Sequence, residues 1–223
     1  YFILKYYNIS ISSSYNIIFS IKSYHSLISA NPIHNVGKYL RKLLIDNEIE
    51  NDNVAKMSDD ELEYIYLTST GRLWDEMTAL HPDMDRNEVK VQMFQEVFYS
   101  NSPYAYHWKQ WAVEFKKRFP TVYKRIGEWK SAKQSDGVKA YMEERGLTVD
   151  KPTASLSVAM MDLEARIFTT ILKRLYAKRW NAIHIHDCIV IPKDGNANHP
   201  TEAQVRSVME DVYKDFGLSP TVA

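Results

Sequence analysis

Residues 181–192 read Asn-Ala-Ile-His-Ile-His-Asp-Cys-Ile-Val-Ile-Pro. Apolar and polar residues alternate up to His186, and an apolar run resumes after Asp187, which predicts strand, tight turn and strand. The acid at the centre decides the reading. A carboxylate set among Ile183, Ile185, Ile189, Val190 and Ile191 costs roughly several kcal/mol unless a turn exposes it or a cation compensates it. Asp187 is then an ordinary turn residue, a catalytic metal ligand at a hairpin tip, or part of a hydrolase site built on His184-x-His186-Asp187. In the last case His184 and His186 share a strand face. The remaining histidines (His25, His34, His81, His107 and His199) show no ligand-like spacing that would complete it.

Working outward, the clearest helix lies just upstream, from about Ser157 to Lys178. Val158, Met161, Ala165, Phe168, Leu172 and Leu175 form its apolar stripe. Downstream, Thr201 to Phe216 is helical, with Val205, Met209, Val212 and Phe216 on one face. Farther upstream, Val36 to Ile45 and Asp59 to Thr68 have helical spacing, and Ser58 with Glu61 forms a capping box for the second. Asp85 caps a helix from Arg86 to about Tyr99, ended by Asn101-Ser102-Pro103. Trp108 to Lys117 is helical by composition, and Pro120 opens a helix to about Lys133. Residues 1–20 read as a strand running into a turn or a helix start. Dominant helices with a small sheet make the class α+β.

The bulk numbers bound the function loosely. The chain has 223 residues, 45% of them hydrophobic, enough for a core in one large domain or two small ones. No stretch reaches the ~18 uninterrupted apolar residues of a membrane span, and the start lacks a signal-peptide pattern, so no membrane partner is expected. A single cysteine, Cys188, excludes an internal disulfide framework and fits a cytoplasmic or other reducing compartment. Lys+Arg and Asp+Glu are both 28, yet residues 46–63 are acidic and 109–133 basic. The basic stretch is interleaved with Trp111, Phe115, Phe119, Tyr123 and Trp129. That pattern serves either a local nucleic-acid surface or an ordinary amphipathic helix.

One helix carries cations and rings in register. Arg86-Asn-Glu-Val-Lys90-Val-Gln-Met-Phe94-Gln-Glu-Val-Phe98-Tyr99 sets Arg86, Lys90, Phe94 and Phe98 on one face. The cations suit a triphosphate and the rings suit a base, although rings so spaced also suit a core.

Taken in order, these features resemble family A nucleic-acid polymerases over about residues 86–222. That family has a fingers helix with Arg, Lys, an aromatic and a Tyr at four-residue steps, matched from Arg86 onward with Phe98 at the Tyr position and Tyr99 just after. Arg118-Phe119-Pro120-Thr-Val-Tyr123, the long helix with Glu164-Ala165 at its centre, the His186-Asp187 turn and the closing Leu218-Ser-Pro-Thr-Val222 follow in the family's order. The resemblance implies a right-hand polymerase with a small palm sheet and helical fingers. The N-terminal palm part and a helical segment would fill 1–85, fingers-like helices 86–150, and the C-terminal palm 151–223. It implies a template-directed nucleotidyltransferase that adds nucleoside triphosphates to the 3′ end of a DNA or RNA primer on its template. Asp187 would be a catalytic carboxylate and Mg²⁺ ligand, and His186 would lie near the primer end. Arg86 and Lys90 would bind the triphosphate, with Phe94, Phe98 and Tyr99 around the base. Two Mg²⁺ ions would lower the pKa of the primer hydroxyl and neutralise the phosphates. Single-subunit phage-type RNA polymerases share the hairpin and the lysine-bearing helix, so the product nucleic acid stays open, and Cys188 does not decide it. A phage, plasmid or bacterial replication context is expected, and the chain reads as part of a longer polypeptide or replication complex. The departure lies at the first catalytic Asp. The best match, Asn8-Ile9-Ser10-Ile11-Ser12-Ser13-Ser14-Tyr15, has Ser10 there, or Asn8 two residues earlier, and neither is anionic. An inactive polymerase-fold nucleic-acid-binding module is therefore the alternative reading.

Overall fold

The computed structural model describes residues 17–218 apart from residues 19, 31–34, 101, 103, 186–187 and 193–198. Among them the chain is mostly helical, with one two-stranded antiparallel sheet, which agrees with the α+β expectation. The helices are α1 (His25–Ala30), α2 (Val36–Asp46), α3 (Asn51–Lys56), α4 (Asp59–Ser69), α5 (Leu73–Thr78), α6 (Arg86–Met93), α7 (Gln110–Arg118), α8 (Pro120–Lys130), α9 (Asp136–Glu144), α10 (Ser155–Ala177) and α11 (Glu202–Asp215). Between α10 and α11 lies the hairpin β1 (Ile183–Ile185) and β2 (Cys188–Val190), paired Ile183 to Val190, His184 to Ile189 and Ile185 to Cys188. No described helix is long and apolar enough to cross a membrane. The strand expected at the start falls largely on residues 1–16, which lie outside the described residues, as does the expected closing strand beyond Leu218; residues 20–23 are helical.

The helix starts follow their caps. Glu61 accepts the N–H of Ser58 at 2.8 Å and thereby closes the front of α4. Thr201 and Gln204 form the same reciprocal box on α11. Pro120 opens α8, where a missing N–H costs nothing. The next N–H groups there, from Thr121 and Val122, go to Asp60 Oδ2 of α4 at 2.8 and 3.2 Å, so one helix caps another across the core.

That contact belongs to a larger joint. Glu61 is fully buried, and besides Ser58 it accepts from Arg125 Nε at 3.3 Å. Glu63 takes Arg118 at 2.9 Å, and Glu76 of α5 takes the same guanidinium at 3.1 Å. On the other side of α4, a Cβ built at Gly37 of α2 would sit 1.9 Å from the Asp59 carbonyl oxygen. Only glycine lets these two backbones approach so closely.

Hydrophobic packing falls into two clusters. The larger unites residues from Ile17 to Ala159, including Tyr66, Phe115 and Phe119 at its centre. The smaller joins Ile167, Phe168, Ile171 and Leu175 of α10 to Ala182, Val208 and Val212. α10 serves both, but not through the stripe its sequence predicts. Phe168 and Leu175 are buried as expected, whereas Met161 and Ala165 face solvent and Leu156, Ala159, Ile167 and Ile171 face in. The helix is apolar around most of its girth, and the facing elements select the stripe.

Two substitutions test this architecture. Glu61→Ala leaves Arg125 facing a void in place of its buried partner, and is expected to lower unfolding free energy by about 3 kcal/mol in denaturant titration. Gly37→Ala forces α2 away from α4 and is expected to cost about 2 kcal/mol or more by the same measurement.

Candidate functional site

The cation-bearing helix α6 begins on a firm cap. Asp85 Oδ1 accepts from Asn87 N–H at 2.7 Å and Glu88 N–H at 2.9 Å, and Glu88 accepts the Asp85 N–H at 2.8 Å. This fixes the first turn and leaves both Arg86 and Lys90 exposed. Arg86 Nε donates to Asp75 Oδ1 at 2.8 Å, but both side chains are more than half exposed. Such a pair is weak and exchangeable. Lys90 enters no ion pair among the described residues and stays available to an anion.

Past Met93 the helix widens. Phe94–Phe98 form a π-helical turn, and Tyr99 N–H donates to the Phe94 carbonyl, five residues back, at 2.7 Å. The extra residue rotates everything after it, so the ring that follows Phe94 is not Phe98. Tyr99 stacks on Phe94 with centroids 5.1 Å apart and planes 27° apart. Phe98, 5% exposed, turns into the core against Trp74 and Phe115. The sequence leaves open which ring lines up with the cations; the geometry gives Arg86, Lys90, Phe94 and Tyr99.

A buried amine holds this turn. Lys130 of α8, 2% exposed, donates from Nζ to the Val97 carbonyl inside the π turn. Burial lowers its pKa from 10.5 to about 8. Lys130 belongs to the basic stretch in the sequence; it follows Ile126 by four residues and Val122 by eight, which puts it on the apolar face of α8, but only the facing elements bury the amine.

α10 brings the end of α6 and the hairpin to one place. Tyr99 is partly exposed; its phenol pKa is raised by burial first and then by the negative charge of Glu164. One turn farther along α10, Phe168 stacks on His184 of β1 with centroids 4.1 Å apart and planes 13° apart. Residues four apart on a helix are surface neighbours, so Tyr99 and the strand leading to the His-Asp turn approach adjacent turns. In the sequence Glu164 stands only at the centre of the long helix, and nothing local marks the influence of its charge on Tyr99. His186, Asp187, Ser10 and Asn8 lie outside the described residues. Among the described residues no group of three or more His, Cys, Asp or Glu is placed to hold a metal.

The basic, aromatic stretch resolves differently on its two sides. Trp111, Phe115, Phe119, Tyr123 and Trp129 are all buried, so they pack the core and offer no platform to bases. Arg118 and Arg125 answer Glu63, Glu76, Glu61 and Glu128. Lys109 approaches Glu96 at 3.9 Å, and Lys116 sits 3.1 Å over the Tyr106 ring. Lys117, Lys124 and Lys133 remain exposed.

Comparison with protein-family models, with curated proteins and with solved structures finds no match to this chain.

The Lys130 anchor has a pH signature. Below about pH 8 the amine is charged in both states; between 8 and 10.5 only the unfolded chain holds the proton, so native stability rises with pH. Relative to Lys130→Met, the natural chain is expected to gain up to about 3 kcal/mol of unfolding free energy between about pH 7.5 and about pH 10, measured by denaturant titration.

Proposed function

We propose that this chain is the palm-and-fingers core of a family A-like polymerase, whose α6 face takes the incoming nucleoside triphosphate and which acts as a template-directed nucleotidyltransferase. The observation that carries the reading is the π turn. It aligns Tyr99 with Phe94 behind two exposed cations, so that charge for a triphosphate is followed by an aromatic stack for a base. π turns inside helices occur frequently at functional sites. The second support is α10 itself, which shares a cavity wall with Phe94 and Phe98 of the π turn and stacks Phe168 on His184. The π turn and β1, the strand that precedes His186-Asp187 in the chain, thus both pack on α10.

In this reading Lys90 meets the triphosphate first, because its amine is uncommitted. Arg86 joins by exchanging Asp75 for phosphate oxygens, which gives a bidentate cation a stronger acceptor. Tyr99 presents its ring to base and sugar, and its phenol stays protonated beside Glu164. Phe98 acts from behind, as part of the wall that fixes Phe94.

The implied pair of Mg²⁺ ions fits this donor set poorly. Two bridged cations need two anionic carboxylates, and the chain offers Asp187 with Ser10, a neutral hydroxyl, at the companion position. No catalytic step is assigned to the metals on these residues. Ser10 is the specific feature that favours the second reading, a polymerase-fold module that binds primer–template and nucleotide without turnover.

Primer extension with labelled nucleotides and Mg²⁺ separates the two. Extension by the natural chain that disappears in Asp187→Ala supports the enzyme, and extension seen only in Ser10→Asp identifies the inactive relative. Extension that survives loss of Asp187 would overturn the site. In either reading Lys90→Ala is expected to weaken triphosphate binding roughly tenfold to a hundredfold with an unchanged melting temperature. Unchanged nucleotide affinity would count against the α6 face.

A further inference from the structure

Against the π turn, which contributes Phe94 and Phe98 to its lining, lies a half-enclosed cavity of about 350 Å³, within the range of roughly 300–1,000 Å³ typical of small-molecule sites. Three walls build it. Trp74, Phe94 and Phe98 form one, Trp129 and Tyr141 another, and α10 lays Leu156, Ala159, Met160 and Leu163 along the third. Those four follow the helical step of three, four and seven residues, so they are one continuous face of α10. It is the stripe that the helix sequence did not single out.

The lining selects a ligand class. It contains no Asp, Glu, Lys, Arg or His, so a charged ligand, including a nucleoside triphosphate, would lose its hydration there without compensation. Thr68 is already committed, its hydroxyl donating to the carbonyls of Tyr64 and Ile65 at 2.8 and 3.1 Å. Water in such a volume finds few partners, and an apolar guest that displaces it gains. The aromatic walls narrow the class further. Trp74 meets Phe98 edge-on at 83°, and Trp129 meets Tyr141 at 75°. Rings paired edge to face leave faces free, and free faces favour a flat aromatic guest over a branched aliphatic one.

The geometry points to a binding site for a neutral, planar aromatic small molecule, lodged between α4, α5, the π turn Phe94–Phe98, α8, α9 and α10. Its position gives it leverage. Phe94 is shared: one surface lines the cavity and the ring stacks on Tyr99. Trp74 precedes Asp75, the partner of Arg86. A guest that pushes on Trp74 and Phe94 therefore acts on both ends of the cation-bearing helix. The site itself does not depend on the polymerase reading, since its lining and its test involve neither nucleotide nor nucleic acid.

The test uses the whole chain and N-phenyl-1-naphthylamine, an uncharged fluorophore of two aromatic units. Its emission is expected to rise saturably at one molecule per chain, and excitation of Trp74 and Trp129 is expected to feed that emission. Ala159→Phe fills the cavity from the α10 side and should lower affinity at least tenfold while circular dichroism and cooperative melting are retained. Thr68→Phe, at an exposed position on the rim, blocks the mouth without overfilling the core and keeps the test decisive if the first variant misfolds. Loss of binding in either folded variant supports the site. No saturable emission from the natural chain, or undiminished affinity in every variant that folds, would overturn it.

Discussion

The acidic edge of α4 is the joint on which the rest of the molecule turns. A fully buried carboxylate such as Glu61 survives only where hydrogen bonds and an opposite charge replace lost water. Here Ser58 and Arg125 supply them. Its neighbours extend the same logic: Asp60 caps the front of α8, and Glu63 holds the end of α7 through Arg118. Three consecutive contacts on one helix thus fix both members of the α7–α8 corner.

What that corner positions is the C-terminal end of α6 and the π turn that follows it. α8 carries Lys130 to the Val97 carbonyl and Trp129 to the cavity wall. A π turn leaves backbone groups without their ordinary partners, and a buried ammonium is a strong compensating donor for one of them. The widened turn persists because α8 holds it, and α8 is held by α4. Tyr99 lands on Phe94 as the consequence of a chain of contacts that starts some forty residues upstream. The proposed nucleotide face and the apolar cavity are two sides of that one helix segment, divided by the ring of Phe94.

Charge in the basic stretch shows how composition can mislead about function. Read linearly, residues 109–133 offer cations and rings together, the signature of a nucleic-acid surface. Folded, the rings go to the core and the arginines go to the acidic stretch 46–63 and its neighbours. Two ion pairs, Arg118 with Glu63 and Arg125 with Glu61, join the two opposite-sign segments. Lys117, Lys124 and Lys133, whose flexible stems reach water easily, keep their charge outside, while Lys130 is buried.

The chain on its own determined what short-range physics controls. The caps at Ser58 and Asp85, the helix opened by Pro120, the antiparallel hairpin around His186-Asp187 and the mostly helical α+β class all rest on side chains bonding to backbone within three or four residues, or on periodicity along one element. Tertiary packing alone decided which apolar stripe of α10 faces inward, that α6 widens so that Tyr99 replaces Phe98 in line, and that Lys130 is buried while Lys90 is free to meet a ligand. In each of these the local alternatives differ by little. Two adjacent stripes of α10 are nearly equally apolar, and a helix continues or widens at small local cost. The choice falls to partners tens of residues away, and no window of neighbouring residues contains them.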